Sequence, residues 1–199
     1  MREIDRSNKT LQLTVGALFI ALIAVGANLT TMFPFLVVGG VPITLQSFFS
    51  ILAGLVLGAR LGAFTLTGYT LLGLAGLPIF AQFKGGIWMV LAPTFGFLLS
   101  FIIGAYVAGK IREKYPNMVG YLIGASLALV INYVFGANWM YLAYQFWFEA
   151  PPEFSYKLVW LWLVVPLPKD IILAVCAGVF AYRLEKRGIG IKQPSLQTP

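Results

Sequence analysis

Three separate stretches of this chain carry polar side chains in otherwise apolar surroundings. Thr44 and Gln46 lie in the first, Gln82 and Lys84 in the second, and Lys169 with Asp170 in the third. Asn132 and Asn138 flank Gly136 in a long apolar run, and Thr94 sits in the segment PTFGF. Around Gln82 and Lys84 stand Phe80, Phe83 and Trp88, with the turn residues Pro78, Gly85, Gly86 and Pro93. A plain connection between helices is short and water-loving. The stretch 73–97 is long and apolar with two polar heads, which suits the lining of a small-molecule pocket. Aromatic walls, one or two cations and a few amides fit an amphipathic anion: a carboxylate would meet a lysine, and a neutral polar head would meet amides or a carboxylate. Singly, each residue also has an ordinary reading. Asp170 favours a helix N-terminus, and Lys169 can snorkel to an interface. Convergence from three stretches is the stronger signal.

The inventory narrows the chemistry. There is no histidine and one cysteine, Cys176, so His-based acid–base work, His-ligated metal and an intrachain disulfide are all outside what the chain can do. Six of the seven acids fall in tails or connections, leaving Asp170, and no phosphate-binding loop or nucleophile motif is present. No catalytic residue, metal site or cofactor is therefore expected. A small membrane enzyme acting on lipid is the alternative from another class, with Lys169 and Asp170 as its sole candidates. A channel is disfavoured, because two such aromatic connections obstruct a pore.

These residues must be positioned by membrane helices. The 199 residues are 59% hydrophobic and 11% charged, with a mean hydropathy of +0.85, against about 45–50% apolar in soluble domains. We expect one all-α transmembrane domain over 1–199, with polar tails at about 1–10 and 186–199. Six spans are predicted: 11 to about 33, 47–58, 61 to about 75, 88–108, 119–144 and 168–184. A cleaved leader ending at Val25-Gly26-Ala27 competes for the first run, but the apolar stretch outlasts a leader's core. Irregular connections are expected at 34–46 and 145–167, and a basic link, KIREKYPN, between the fourth and fifth spans.

Charge orients the bundle. Arg2, Arg6, Lys9, Arg60, Lys110, Arg112, Lys114, Arg183, Lys186, Arg187 and Lys192 fall in the tails and even-numbered connections, whereas Lys84, Lys157 and Lys169 fall on the other side. The positive-inside rule then puts both termini in the cytoplasm. The net charge of +7 is topology rather than a nucleic-acid footprint, so no nucleic-acid partner is expected and the surroundings are membrane lipid. Small residues mark the packing faces: Gly54, Gly58 and Gly62 in one series, Gly120 and Gly124 in another, and Ala17, Ala21, Ala24 and Asn28 along one face of the first helix.

The segments GGVPITLQ (39–46), LGARLGAF (57–64), GLAGLPIFA (73–81), PTFGF (93–97) and PLPKD (166–170) resemble the signatures of the BioY family. BioY proteins are the biotin-binding S components of energy-coupling factor (ECF) transporters. The resemblance implies a six-helix S-component bundle in a prokaryotic cell membrane. It also implies capture of biotin from outside, and assembly with a T component and two ATP-binding subunits. Ala17 and Ala21 match an AxxxA motif that meets the T component in similar S components, with Ala24 on the same face. Phe80 and Trp88 would flank the bicycle, Gln82 and Asp170 would pair with the ureido group, and Lys84 or Lys169 would hold the carboxylate. Two differences stand out. Many relatives have a Gly-rich run where this chain has Gln82-Phe83-Lys84. Many also place a lysine one turn after the aspartate, where this chain has Ile171-Ile172-Leu173 and puts Lys169 before it. An S component for another vitamin, thiamine or riboflavin, is the alternative within the class.

Overall fold

The computed structural model describes residues 9–29, 37–38, 41–42 and 44–188. Seven helices account for most of them: α1 Lys9–Asn28, α2 Gln46–Leu57, α3 Ala59–Leu74, α4 Phe95–Lys114, α5 Met118–Phe146, α6 Tyr156–Val164 and α7 Leu167–Lys186. A two-residue antiparallel ladder, β1 Val37–Val38 with β2 Val41–Pro42, interrupts the expected linker at 34–46. The fold is that of an all-helical membrane protein. Among the described residues α1, α4 and α5 are long and apolar enough to cross a bilayer, and the pair α6–α7, bent by 58°, makes a fourth. With 12 and 16 residues, α2 and α3 are shorter than the usual length for a span. Most of the two polar tails, the segment 30–33 that was expected to end the first span, and Lys192 lie outside the described residues.

Element boundaries follow local chemistry. α2 and α3 are separated only by Gly58, whose φ of 83° breaks the helix at no steric cost. The fourth span does not begin at Trp88. Pro93 holds Ala92 extended (φ −67°, ψ 139°), so α4 starts at Phe95 and residues Ile87–Leu91 form a separate 3₁₀ turn. At its other end α4 absorbs Lys110, Arg112 and Lys114, which shortens the basic link to residues 115–117. Asn117 caps α5 by accepting from Gly120 N at 2.8 Å. The expected irregular segment 145–167 contains α6, capped by Ser155.

α4 is the central helix: it runs along α5 and touches α2 and α3, while α7 packs on α5 and α2, and α1 on α2 and α3. Close approach rests on small residues. A Cβ on Gly54 would strike the backbone of Ala105, one on Gly62 would fall 2.9 Å from Gly54 Cα, and one on Gly124 would fall 3.0 Å from Ala108 O. Both glycine series therefore pack inside the bundle. The alanine face of α1 differs. Ala17 and Ala21 are exposed, Ala24 is half-buried, and Asn28 is buried beneath the segment 79–83.

Candidate ligand-binding site

One end of the bundle encloses a cavity with about 790 Å³ of atom-free space, the open solvent at its mouth included. Its walls come from five places. Thr44, Gln46 and Ser47 begin α2. Phe80, Ala81, Gln82, Lys84 and Met89 follow α3. Thr94, Phe97, Leu98 and Phe101 open α4, Asn132 and Tyr133 come from α5, and Leu163, Pro166, Lys169 and Asp170 bound the α6–α7 bend.

The polar groups fall into two sets. The first is already bonded within the protein. Asp170 accepts from Ser47 Oγ (2.7 Å) and Tyr133 OH (2.8 Å) and pairs with Lys169 Nζ at 2.8 Å, while Lys169 also donates to Thr44 O at 2.6 Å. These bonds fix the carboxylate between α2, α5 and α7 and match it with charge, which is what buried ionic groups require. Gln46 Nε2 donates to Tyr69 OH at 3.1 Å, and Tyr69 OH donates to Ile79 O at 2.7 Å. Asn132 Nδ2 donates to Ser100 Oγ (2.7 Å) and Phe97 O (3.3 Å), so its oxygen is the remaining hydrogen-bonding group. The second set is Gln82, Lys84 and Thr94. Among the described residues none of these side chains bonds to another protein group, and all three line the cavity.

Apolar walls complete the site. Phe80, 1% exposed, packs edge-on to Tyr69 with ring centres 5.6 Å apart and lies against Gly73, where a Cβ would strike the ring. Thr44, Gln46, Phe80, Gln82, Lys84, Thr94, Lys169 and Asp170 are thus brought together around one cavity. Trp88 and Asn138 are not. In the 3₁₀ turn Met89 takes the inward position and Trp88 is 69% exposed. Asn138 comes six residues after Asn132, a rotation of about 240° around α5, and its exposed amide donates to Val134 O instead. Sequence reading passed over Ser47 and Tyr133, whose hydroxyls hold Asp170. Their signal was weak: a serine one residue past Gln46 and a tyrosine beside Asn132.

A model of the BioY family matches residues 2–189. The chain belongs to the BioY family. It is 39% identical over 166 residues to the putative biotin transporter BioYB of Bacillus subtilis, covering 82% of each chain. It is 40% identical over 177 residues to the probable biotin transporter BioY of Pyrococcus horikoshii, covering 89% of this chain and 98% of that one. The fold matches a crystal structure of the S-component for biotin from an ECF-type ABC transporter. The TM-score is 0.73 at 23% identity, over 91% of this chain and 94% of that one. A BioY scaffold therefore surrounds the cavity, and Asp170 opens its last helix.

Proposed function

We propose that this chain is the biotin-binding S component of an ECF-type transporter: a transport protein without catalysis of its own, driven by ATP hydrolysis in partner subunits. The observation that carries the reading is the cavity's division of labour within a BioY-family chain. Asp170, pre-set by two hydroxyls and Lys169, accepts a ureido N–H. Gln82 supplies a second amide contact, Phe80 walls the bicycle, and Lys84, the cation with no carboxylate partner among the described residues, takes the valerate carboxylate. Lys169 is already committed to Asp170 and Thr44 O, which favours Lys84 for that role.

The same reading makes residues 1–199 one domain in a prokaryotic cell membrane. Counting α1 to α5 singly and α6–α7 as one bent span gives six crossings and leaves both termini on the cytoplasmic side that the basic residues mark. The exposed Ala17 and Ala21, with Ala24 beside them, form the surface for a T component, through which two ATP-binding subunits act. Calorimetric titration of purified protein with biotin tests the substrate. We expect tight one-to-one binding, and no heat at micromolar biotin would refute it. Competition by thiamine or riboflavin would transfer the site to another vitamin. Lipid turnover that Asp170→Asn abolishes would instead favour an enzyme.

A further inference from the structure

Asn28, the last residue of α1, is 8% exposed, and its amide is used on main chain. Nδ2 donates to Ala24 O (3.0 Å), an ordinary bond within the helix, and also to Ile79 O (3.3 Å), 51 residues away. Oδ1 accepts from Phe83 N at 2.6 Å. The two remote bonds bracket a tight loop that Phe80 N closes by donating to Lys84 O at 3.0 Å.

That loop is strained at its centre. Gln82 (φ 64°, ψ 31°) and Phe83 (φ 52°) occupy the left-handed region, which residues bearing a Cβ hold only when their surroundings enforce it. Burial of the Phe83 ring does not enforce it, since that ring is exposed. The conformation does serve the cavity: Gln82 and Lys84 are two of the three polar side chains in its wall without a protein partner among the described residues, Thr94 being the third. An amide offers an acceptor to one end of the loop and a donor to the other at once. Neither a serine nor a carboxylate has both in the same fixed arrangement.

We propose that Asn28 is a positioning residue for the ligand cavity: from α1 it clamps the strained loop 79–84 and so sets Gln82 and Lys84 against the ligand. This rests on the reading of the cavity as the biotin site, so the experiment has one arm that needs no ligand. In that arm, hydrogen exchange is followed on the full-length ligand-free protein in detergent. Asn28→Ala should speed exchange at the Phe83 amide by about tenfold, the loss of one hydrogen bond, without changing α4 or α5. Asn28→Gln, which keeps both donor and acceptor on a longer stem, should retain more of that protection than Asn28→Ala. It also serves as the folded reference should the alanine variant fail to fold.

In the second arm, calorimetry with biotin should show Asn28→Ala weakening binding by about tenfold. Phe83→Gly in the same chain should restore affinity to within about threefold of Phe83→Gly alone, because glycine occupies the left-handed region without cost. Unchanged exchange at Phe83, or loss of protection in Asn28→Gln equal to that in Asn28→Ala, overturns the clamp. Weakened binding that glycine does not recover also overturns it, since Asn28 would then act through the fold rather than the loop. Wild-type protein that fails to bind biotin overturns the ligand assignment, and the exchange arm still decides the clamp.

Discussion

At the first turn of α7, Asp170 pairs with Lys169 and accepts from the Tyr133 hydroxyl of α5. At its last turn, Glu185 pairs with Arg112 of α4 (3.1 Å) and accepts from the Tyr121 hydroxyl, also of α5. Acid, base and tyrosine recur at both ends with different surroundings. Arg112 is 3% exposed, its guanidinium lies 5.9 Å from the Tyr121 ring centre, and Tyr182 closes edge-on against that ring at 5.6 Å. Its pair joins charges from two helices and adjoins no cavity described above. The Lys169–Asp170 pair joins neighbours in sequence, so it ties no distant elements by itself. The carboxylate's remote bonds come from neutral hydroxyls on α2 and α5, and open space stands beside them. Charges from separate helices with no room between them make a clasp. A locally neutralised carboxylate on a cavity wall makes a recognition group.

Breaking the clasp should give the largest effect. Arg112→Ala strips one partner from a buried pair, worth about 3 kcal/mol, the low end of the usual range because Glu185 reaches solvent. Thermal unfolding in detergent should shift down by about 6–12 °C, while biotin affinity of the folded protein stays within about threefold. Replacing both charges together, Arg112→Met with Glu185→Leu, should recover most of that loss, since apolar substitutes of similar volume avoid desolvating either charge. Asp170→Ala should give the opposite pattern. It leaves Ser47, Tyr133 and Lys169 without their shared acceptor on the wall. Biotin binding should weaken by at least about 30-fold, the effect of removing about 2 kcal/mol from a buried charged contact, with a smaller shift in unfolding than Arg112→Ala gives. If Arg112→Ala abolishes binding at unchanged stability, the two ends have been assigned the wrong way round.

The cavity end was legible in the sequence because its polar residues are conspicuous among apolar neighbours. Gln82, Lys84, Lys169 and Asp170 could be singled out by type, and eight of the ten proposed site residues line the cavity. The clasp was illegible for the converse reason. Arg112 sits among Lys110 and Lys114, and Glu185 lies in a charged tail, so composition presents both as solvated charges. Nothing in the sequence shows that α4 runs on to Lys114 and carries Arg112 inward. Helix content was read well from hydrophobic runs. α6 was missed because Trp and Tyr at 156–162 fit an interfacial belt as readily as a nine-residue helix. Trp88 was misplaced for a geometric reason: an apolar run signals burial, but the 3₁₀ turn at Ile87–Leu91 sends Met89 inward.

Three smaller substitutions separate the groups at the cavity end. Lys84 is exposed at the cavity rim, so its charge is partly screened. Lys84→Ala should weaken biotin binding by about tenfold at low salt, near the lower bound for a charge-assisted hydrogen bond, and by less as salt rises. Lys169→Ala should leave that salt dependence in place, because Lys169 faces Asp170 rather than an unpaired anion. The smallest effect belongs to Trp88→Ala. With 69% of the residue exposed and no part in the cavity lining, its ring contributes area to the surface and none to the site. Binding should stay within about twofold, as for surface substitutions in general. A tenfold loss would mean that the 3₁₀ turn rotates when ligand enters and brings Trp88 over it. The exposed face of that turn would then belong to the site in its occupied state, and the contrast with the clasp would extend from chemistry to motion.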